Sequence, residues 1–182
     1  TRMQNRGVLV DVELRARLAA LQMVEMAKAL SDMKEVNGLE LNPSSPKQVG
    51  EYLYDKLKVP KRFQKKTGKV TVQEEALKAI ASRFPQHKSA INQILDYRKA
   101  QKLLGTFLTS KLSRGRECDW LELSSGKVAK RTIIKTSYSV AGTTSGRINS
   151  SKTLFDEGGN LQNIPKTEIR RMFRAREGHV LV

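Results

Sequence analysis

Cysteine and histidine are nearly missing from this sequence. Cys118 is the one cysteine, so no intrachain disulfide can form, and with His87 and His179 as the only histidines no zinc cluster can be assembled from nitrogen and sulfur ligands. Long apolar runs are missing as well. Nothing approaches the roughly 20 consecutive apolar residues that cross a bilayer, and the first residues lack the apolar core of a signal peptide. A soluble, intracellular chain is expected. Aromatics are few, one Trp, four Tyr and five Phe, which makes the base-stacking platform of a single-strand binder hard to build. Acidic residues are scarce beside basic ones: 34 Lys and Arg face 18 Asp and Glu in 182 residues, leaving a net charge of +16. The length suits one ordinary domain or two small ones. Thr1 is not an initiator methionine and the chain stops inside the apolar run Val180, Leu181, Val182, so a piece of a longer protein is expected.

The cationic excess is concentrated. Residues 1–45 and 71–97 are each neutral, whereas 46–70, 98–116, 126–152 and 166–176 together carry +22 and the rest of the chain −6. One charge run is usually a solvated face. Four such windows between neutral helices repel one another unless a polyanion neutralises them, and nucleic acid is the natural partner. With so few aromatics, contact to a duplex backbone suits the composition better than single-strand stacking.

Helical punctuation dominates the first two thirds. Asp11 can cap a helix over 12–36 that carries Leu14, Leu18 and Leu21 on one stripe, with Asn37 and Gly38 as its stop. Ser45, Pro46 and Gln48 make a second start, a capping box with proline at the first helical position. Val49, Leu53 and Leu57 follow at helical spacing until Pro60. Residues 61–70 (KRFQKKTGKV) have no apolar face and read as an exposed basic loop. Thr71 with Glu74 suggests another capping box ahead of Leu77, Ile80, Ala81 and Phe84. A further helix from Lys88 buries Ile91, Ile94 and Leu95, then loses its apolar stripe over Tyr97 to Lys102, where Arg98 and Lys102 lie four residues apart on one face. A helix that drops its core face while gaining cations is meeting something anionic. After Gly115 the period becomes two: Trp120, Leu121 and Leu123 lead to a turn at Ser124, Ser125 and Gly126, then Ile133, Ile134, Thr136, Tyr138 and Val140 read as strands. Residues 141–168 are rich in Gly, Ser, Thr and Asn and form either a linker or a binding surface. Ile169–Phe173 reads as a short helix or turn and Val180–Val182 as a strand. The fold class is α+β: a helical subdomain, then the opening of an antiparallel sheet.

GTTSGR at 142–147 has neither the glycine spacing nor the lysine of a phosphate-cradling P-loop. Its two glycines either let the backbone approach a ligand and aim Arg147 at it, or form a plain turn. NLQNIP at 160–165 gathers Asn160, Gln162 and Asn163, amides suited to minor-groove acceptors or to turn chemistry. Glu117, Asp119 and Glu122 sit in a strand-edge context that argues against a metal site. Asp156 and Glu157 read as loop acids, no carboxylate pair is placed for two-metal phosphoryl transfer, and Cys118 has no base near it in sequence.

Taken together, TTSGRINSS, NLQNIP, EIRRMF and HVLV, preceded by RGVLVD at 6–11, NPSSPKQVGEYLYDKL at 42–57, KKTGKVTVQEEALKAIA at 65–81 and ILDYRKAQKLLGTFL at 94–108, resemble family A DNA polymerases over essentially the whole chain. The resemblance implies a connecting helix over 1–40, a helical thumb over 41–114 and the start of an incomplete antiparallel-sheet palm over 115–182. It implies that Arg147 contacts the minor-groove face of the primer's terminal base pair and that Asn160, Gln162 and Asn163 touch primer and template nearby. Arg98 and Lys102 would reach the DNA from a thumb helix, and Lys65, Lys66 and Thr67 would follow phosphates from the thumb tip. The expected parent enzyme is a DNA-directed DNA polymerase of replication or repair, a nucleotidyltransferase using Mg²⁺ and deoxynucleoside triphosphates on primer-template DNA. It is expected to be monomeric, free of membrane, and cytoplasmic in a bacterial or phage-infected cell.

In the family the catalytic carboxylates lie past Val182, so this stretch alone is expected to be inactive and to hold no metal. The segment KTLFDEGG at 152–159 and the hairpin WLELSSGKVAK at 120–130 depart from the family's usual spacing. The rival from another class is a stand-alone basic nucleic-acid-binding module; a single-subunit RNA polymerase is disfavoured by NLQNIP.

Overall fold

In the computed structural model, Asp11 caps the first helix: its Oδ1 accepts from the Leu14 amide at 2.9 Å. The structure describes residues 4, 6–38, 40–64, 66–110, 115–121, 126–139, 142–155 and 158–180. Lys65, Glu122, Leu123, the turn at Ser124 and Ser125, Val140, the loop acids Asp156 and Glu157, and Leu181 and Val182 lie outside them.

The chain divides into two compact units, residues 22–102 and residues 1–21 with 103–182. These limits differ from boundaries at 40 and 114, because the division falls inside the first helix, α1 (Val12–Asn37), and at the end of the fourth, α4 (Lys88–Leu103). Gly38 ends α1 at a φ of +60°, donating to the Lys34 carbonyl at 3.1 Å, as a left-handed stop should.

The unit 22–102 is helical. α2 (Pro46–Gly50) begins at Ser45, whose hydroxyl accepts from the Gln48 amide at 3.4 Å. Gln48 does not close the box on Ser45. Its Oε1 takes the Asn42 amide at 2.6 Å, fastening the preceding loop instead. α2 runs on as a π-helical turn over Glu51–Lys56, and the helix stops before Pro60 because Lys58 adopts a φ of +50°. α3 (Glu74–Arg83) starts two residues later than a Thr71 box would place it. Thr71 Oγ1 takes the Gln73 amide at 3.2 Å in a local turn, which leaves Gln73 as a cap without a side-chain bond. Met33, Val49, Leu53, Leu77, Ile80, Ile91 and Ile94 form the core. Each such aliphatic side chain contributes about 1.5–3 kcal/mol on full burial.

The other unit is built on a four-stranded antiparallel sheet of order β2-β3-β1-β6: β1 (Val8–Val10), β2 (Arg116–Leu121), β3 (Val128–Ile134) and β6 (Phe173–Arg174). Leu9 pairs with Ile133 on one side and Arg174 on the other, so the short β1 joins segments more than a hundred residues away. Asp11 ties the junction: its amide donates to the Met172 carbonyl at 2.8 Å and its carboxylate pairs with Arg174 at 2.5 Å. Val10, Leu18, Phe107, Leu108, Ile134, Ile169, Met172 and Phe173 pack beneath it.

The alternating run expected through Val140 breaks at Lys135 and Thr136, and β4 (Ser137–Ser139) pairs in a separate ribbon with β5 (Asn149–Ser151). Glu168–Met172 is a 3₁₀ turn, in line with the short helix read there. Val180 is in no strand and is 82% exposed; the rest of the strand expected at that end, Leu181 and Val182, lies outside the described residues.

Candidate nucleic-acid interface

In the helical unit the basic segment 61–70 is a folded tip. Phe63 bridges Val70, the Gln64 amide donates to the Lys69 carbonyl at 2.9 Å, and the Thr71 amide donates to the Arg62 carbonyl at 2.9 Å. Thr67 donates its hydroxyl to Gln64 Oε1 at 2.8 Å. Lys66 is exposed, as are Lys61, Arg62 and Lys69. An open groove of about 660 Å³ lies between this tip and α2, and it brings Lys47 beside Lys61 and Lys69 with Tyr54 in its wall. Lys47 lies inside the cationic window 46–70, but its place beside the tip is not legible there, since it depends on where the tip folds back. Burial raises the pKa of Tyr54, whose hydroxyl donates to the Thr71 carbonyl at 2.5 Å and anchors the tip.

Arg98 and Lys102 differ sharply. Lys102 is exposed. Arg98 is half-buried, and its Nε donates to the Pro43 carbonyl and its Nη1 to the Val72 carbonyl, both at 2.6 Å. Burial lowers its pKa from the usual arginine value. Two of the five guanidinium donors therefore bind the protein's own backbone, holding the loop ahead of α2 and the loop ahead of α3 against α4.

In the sheet-containing unit the expected primer-end residues converge. Thr143 Oγ1 donates to the Arg147 carbonyl at 2.9 Å, and Gly146 turns the chain at a φ of +69°, leaving the Arg147 side chain exposed at the entry to β5. Gln162 reaches across with Nε2 to the Ile148 carbonyl at 2.6 Å. Asn160 Oδ1 accepts from the Gln162 amide at 3.0 Å and from Ser150 Oγ at 2.9 Å. That bond shapes the 3₁₀ turn Leu161–Asn163, on which Asn163 is exposed. Arg147 and all three amides thus sit on and beside β5, and what they offer a ligand is mainly N–H donors, the complement of minor-groove acceptors. Sequence reading missed Ser150 and Thr136, the two buried polar side chains here at 2% exposure each, because their partners lie ten or more residues away.

Asp119 is paired with Lys130 at 2.6 Å. Among the described residues no three His, Cys, Asp or Glu side chains come together as a metal site. None of the described helices is long and apolar enough to cross a membrane.

Residues 13–182 match DNA polymerase family A. The chain belongs to that family. It is 30% identical over 190 aligned positions to DNA polymerase I of Rhizobium leguminosarum and 32% identical over 190 to that of Pseudomonas aeruginosa, covering 100% of this chain but 16% and 18% of those proteins. Among solved structures it is similar to the polymerase domain of Mycobacterium smegmatis Pol1 in complex with DNA primer-template and dNTP, with a TM-score of 0.70 and 26% identity over 98% of this chain and 28% of that one. The mixed helix and antiparallel-sheet architecture of this family A chain agrees with that likeness. The chain spans less than a fifth of those two DNA polymerases I.

Proposed function

We propose that this chain is the duplex-gripping and primer-end-reading part of a DNA-directed DNA polymerase, a nucleotidyltransferase whose catalytic carboxylates lie outside the residues described here. The observation that carries the reading is the cluster on β5, where hydrogen bonds from Gln162 and Ser150 bring Arg147, Asn160, Gln162 and Asn163 together. The cationic windows supply the backbone attraction: Lys66 and Thr67 on the tip and Lys102 on α4 follow the phosphates, joined by Lys65, which lies outside the described residues, while Arg98 lies on α4 with two donors already engaged. Minor-groove acceptors are similar for every correct base pair, so a cluster of donors tests pair geometry without reading sequence. Mg²⁺ and deoxynucleoside triphosphates belong to the whole enzyme, where the ion would neutralise charge developing on the transferred phosphoryl group.

The reading is tested by binding the 182-residue chain to a duplex with a recessed 3′ end, to blunt duplex and to single strand across a salt series. Preference for the recessed duplex with a steeply negative salt slope is expected. Equal binding to all three would mean that charge alone is acting. In the full-length polymerase, Arg147→Ala should lower primer extension about tenfold, the size of a well-placed groove contact, with a much smaller loss of duplex affinity. Equal losses would remove Arg147 from the primer terminus.

A further inference from the structure

The segment 152–159, which departs from the family's usual spacing, carries at its tip two side chains that contribute nothing to the core. Leu154 is fully exposed, at 102%, and Phe155 is 79% exposed, side by side in one turn. Exposed apolar pairs usually sit on mobile ground, yet the base of this loop is fastened on both sides. The buried Thr136 hydroxyl lies 2.7 Å from the Ser151 carbonyl and 2.6 Å from the Gly159 carbonyl, so one group ties the loop's entry to its exit. Gly158, at a φ of +70°, seats its backbone on Lys135 so closely that a Cβ would stand 2.0 Å from the Lys135 oxygen. A loop whose base is held this way has less entropy to lose when its tip meets a partner.

We propose that Leu154 and Phe155 form an apolar contact on the primer-template duplex beside the primer's 3′ end, packing on sugar or base rather than on phosphate. The inference rests on the proposed function and deepens it. Its support is continuity: the loop leaves the far end of β5, whose near end carries Arg147 and the half-exposed Ile148. Three strand residues at about 3.3 Å each put the start of the loop roughly 10 Å from that end, a distance of about three nucleotides. Charge argues against phosphate as the target. Lys152 is the loop's one cation and Asp156 and Glu157 follow the tip in sequence, so the segment is net negative in an otherwise cationic stretch. What the tip offers is an aromatic face and a branched aliphatic side chain, which pack on bases and sugars whatever their sequence.

The test uses the full-length polymerase with Leu154→Ala and Phe155→Ala combined. Because neither side chain is buried, the thermal midpoint should not move. Affinity for a recessed-end duplex should fall about tenfold, within the range for losing one aromatic stack, while blunt duplex and single strand bind as before. The slope of log K against log salt should stay the same, since no phosphate contact is lost. A benzophenone amino acid at position 155 should crosslink to the primer or template strand. Unchanged recessed-end affinity, a changed salt slope, equal loss on all three nucleic acids, or a crosslink to protein alone would overturn the proposal, the last by showing that the tip docks on another part of the polymerase. If the unsubstituted protein shows no preference for the recessed end, the primer-terminus reading falls and this inference with it. If that preference is present but insensitive to the tip, the inference alone falls.

Discussion

Arg98→Ala should lower the stability of the helical unit by about 3 kcal/mol. Its guanidinium gives two charge-assisted hydrogen bonds to the Pro43 and Val72 carbonyls, each at 2.6 Å. Such bonds contribute about 1.5–3 kcal/mol each, and their removal also strands the two acceptors. The half-exposed position of Arg98 keeps the total below a simple sum. Arg98→Lys should recover little, because one ammonium cannot span two carbonyls approached by different nitrogens of a planar fork. Lys102→Ala, on the exposed side of the same helix, should stay within about 0.5 kcal/mol. Denaturant midpoints at unchanged m-value give the comparison. DNA binding separates the roles further: Lys102→Ala should reduce the salt slope by roughly one, while Arg98→Ala, measured where it is still folded, should leave it alone. A slope loss at Arg98 equal to that at Lys102 would make it a phosphate contact and not a positioning residue.

Arg98 also shows where sequence reading reaches its limit. At helical spacing from Lys102, a cation that binds the protein's own backbone and one that faces solvent have the same signature. What decides is the pair of carbonyls at 43 and 72, fixed by tertiary packing. The helices were legible wherever the signal is local. Asp11, Ser45 with Pro46, and Gly38 act at the ends where their chemistry places them. Thr71 and Gln48 misled in part, because a hydroxyl or amide that can close a capping box can equally serve a nearby loop, as both do here. The π-helical turns at Glu51–Lys56 and Leu104–Leu108 leave no mark, since one extra residue per turn barely disturbs the apolar period.

Strands fared worse for a physical reason. Val8–Val10 and Phe173–Arg174 are too short to show alternation, and their pairing depends on partners far along the chain. The candidate site was legible as a set of residue types and through family likeness, but not as an assembly. That Asn160 spends its carbonyl oxygen on Ser150 and the Gln162 amide, leaving its N–H groups as what it presents, follows from packing the turn Leu161–Asn163 against β5.

The same packing makes Gly158 the most constrained glycine near the site. Gly158→Ala should cost about 3 kcal/mol or more, combining left-handed strain of about 1–2 kcal/mol with overpacking of about 1–3 kcal/mol. The overlap cannot be relieved by a rotamer change, because a Cβ would stand 2.0 Å from a backbone oxygen, that of Lys135, between the buried Ile134 and Thr136. Gly146→Ala is the matched control: its φ is +69° and its Cβ would meet nothing within 4 Å, so it should lose only the strain, about 1 kcal/mol. Equal costs at the two positions would show that the loop base yields and that its close approach to Lys135 has no energetic weight. The effect should also reach the tip. If Gly158 and Thr136 hold Leu154 and Phe155 in place, Gly158→Ala should weaken recessed-end binding much as removing the tip does, and the combination should lose little more than either alone. Additive losses would mean that the tip binds without its rigid base.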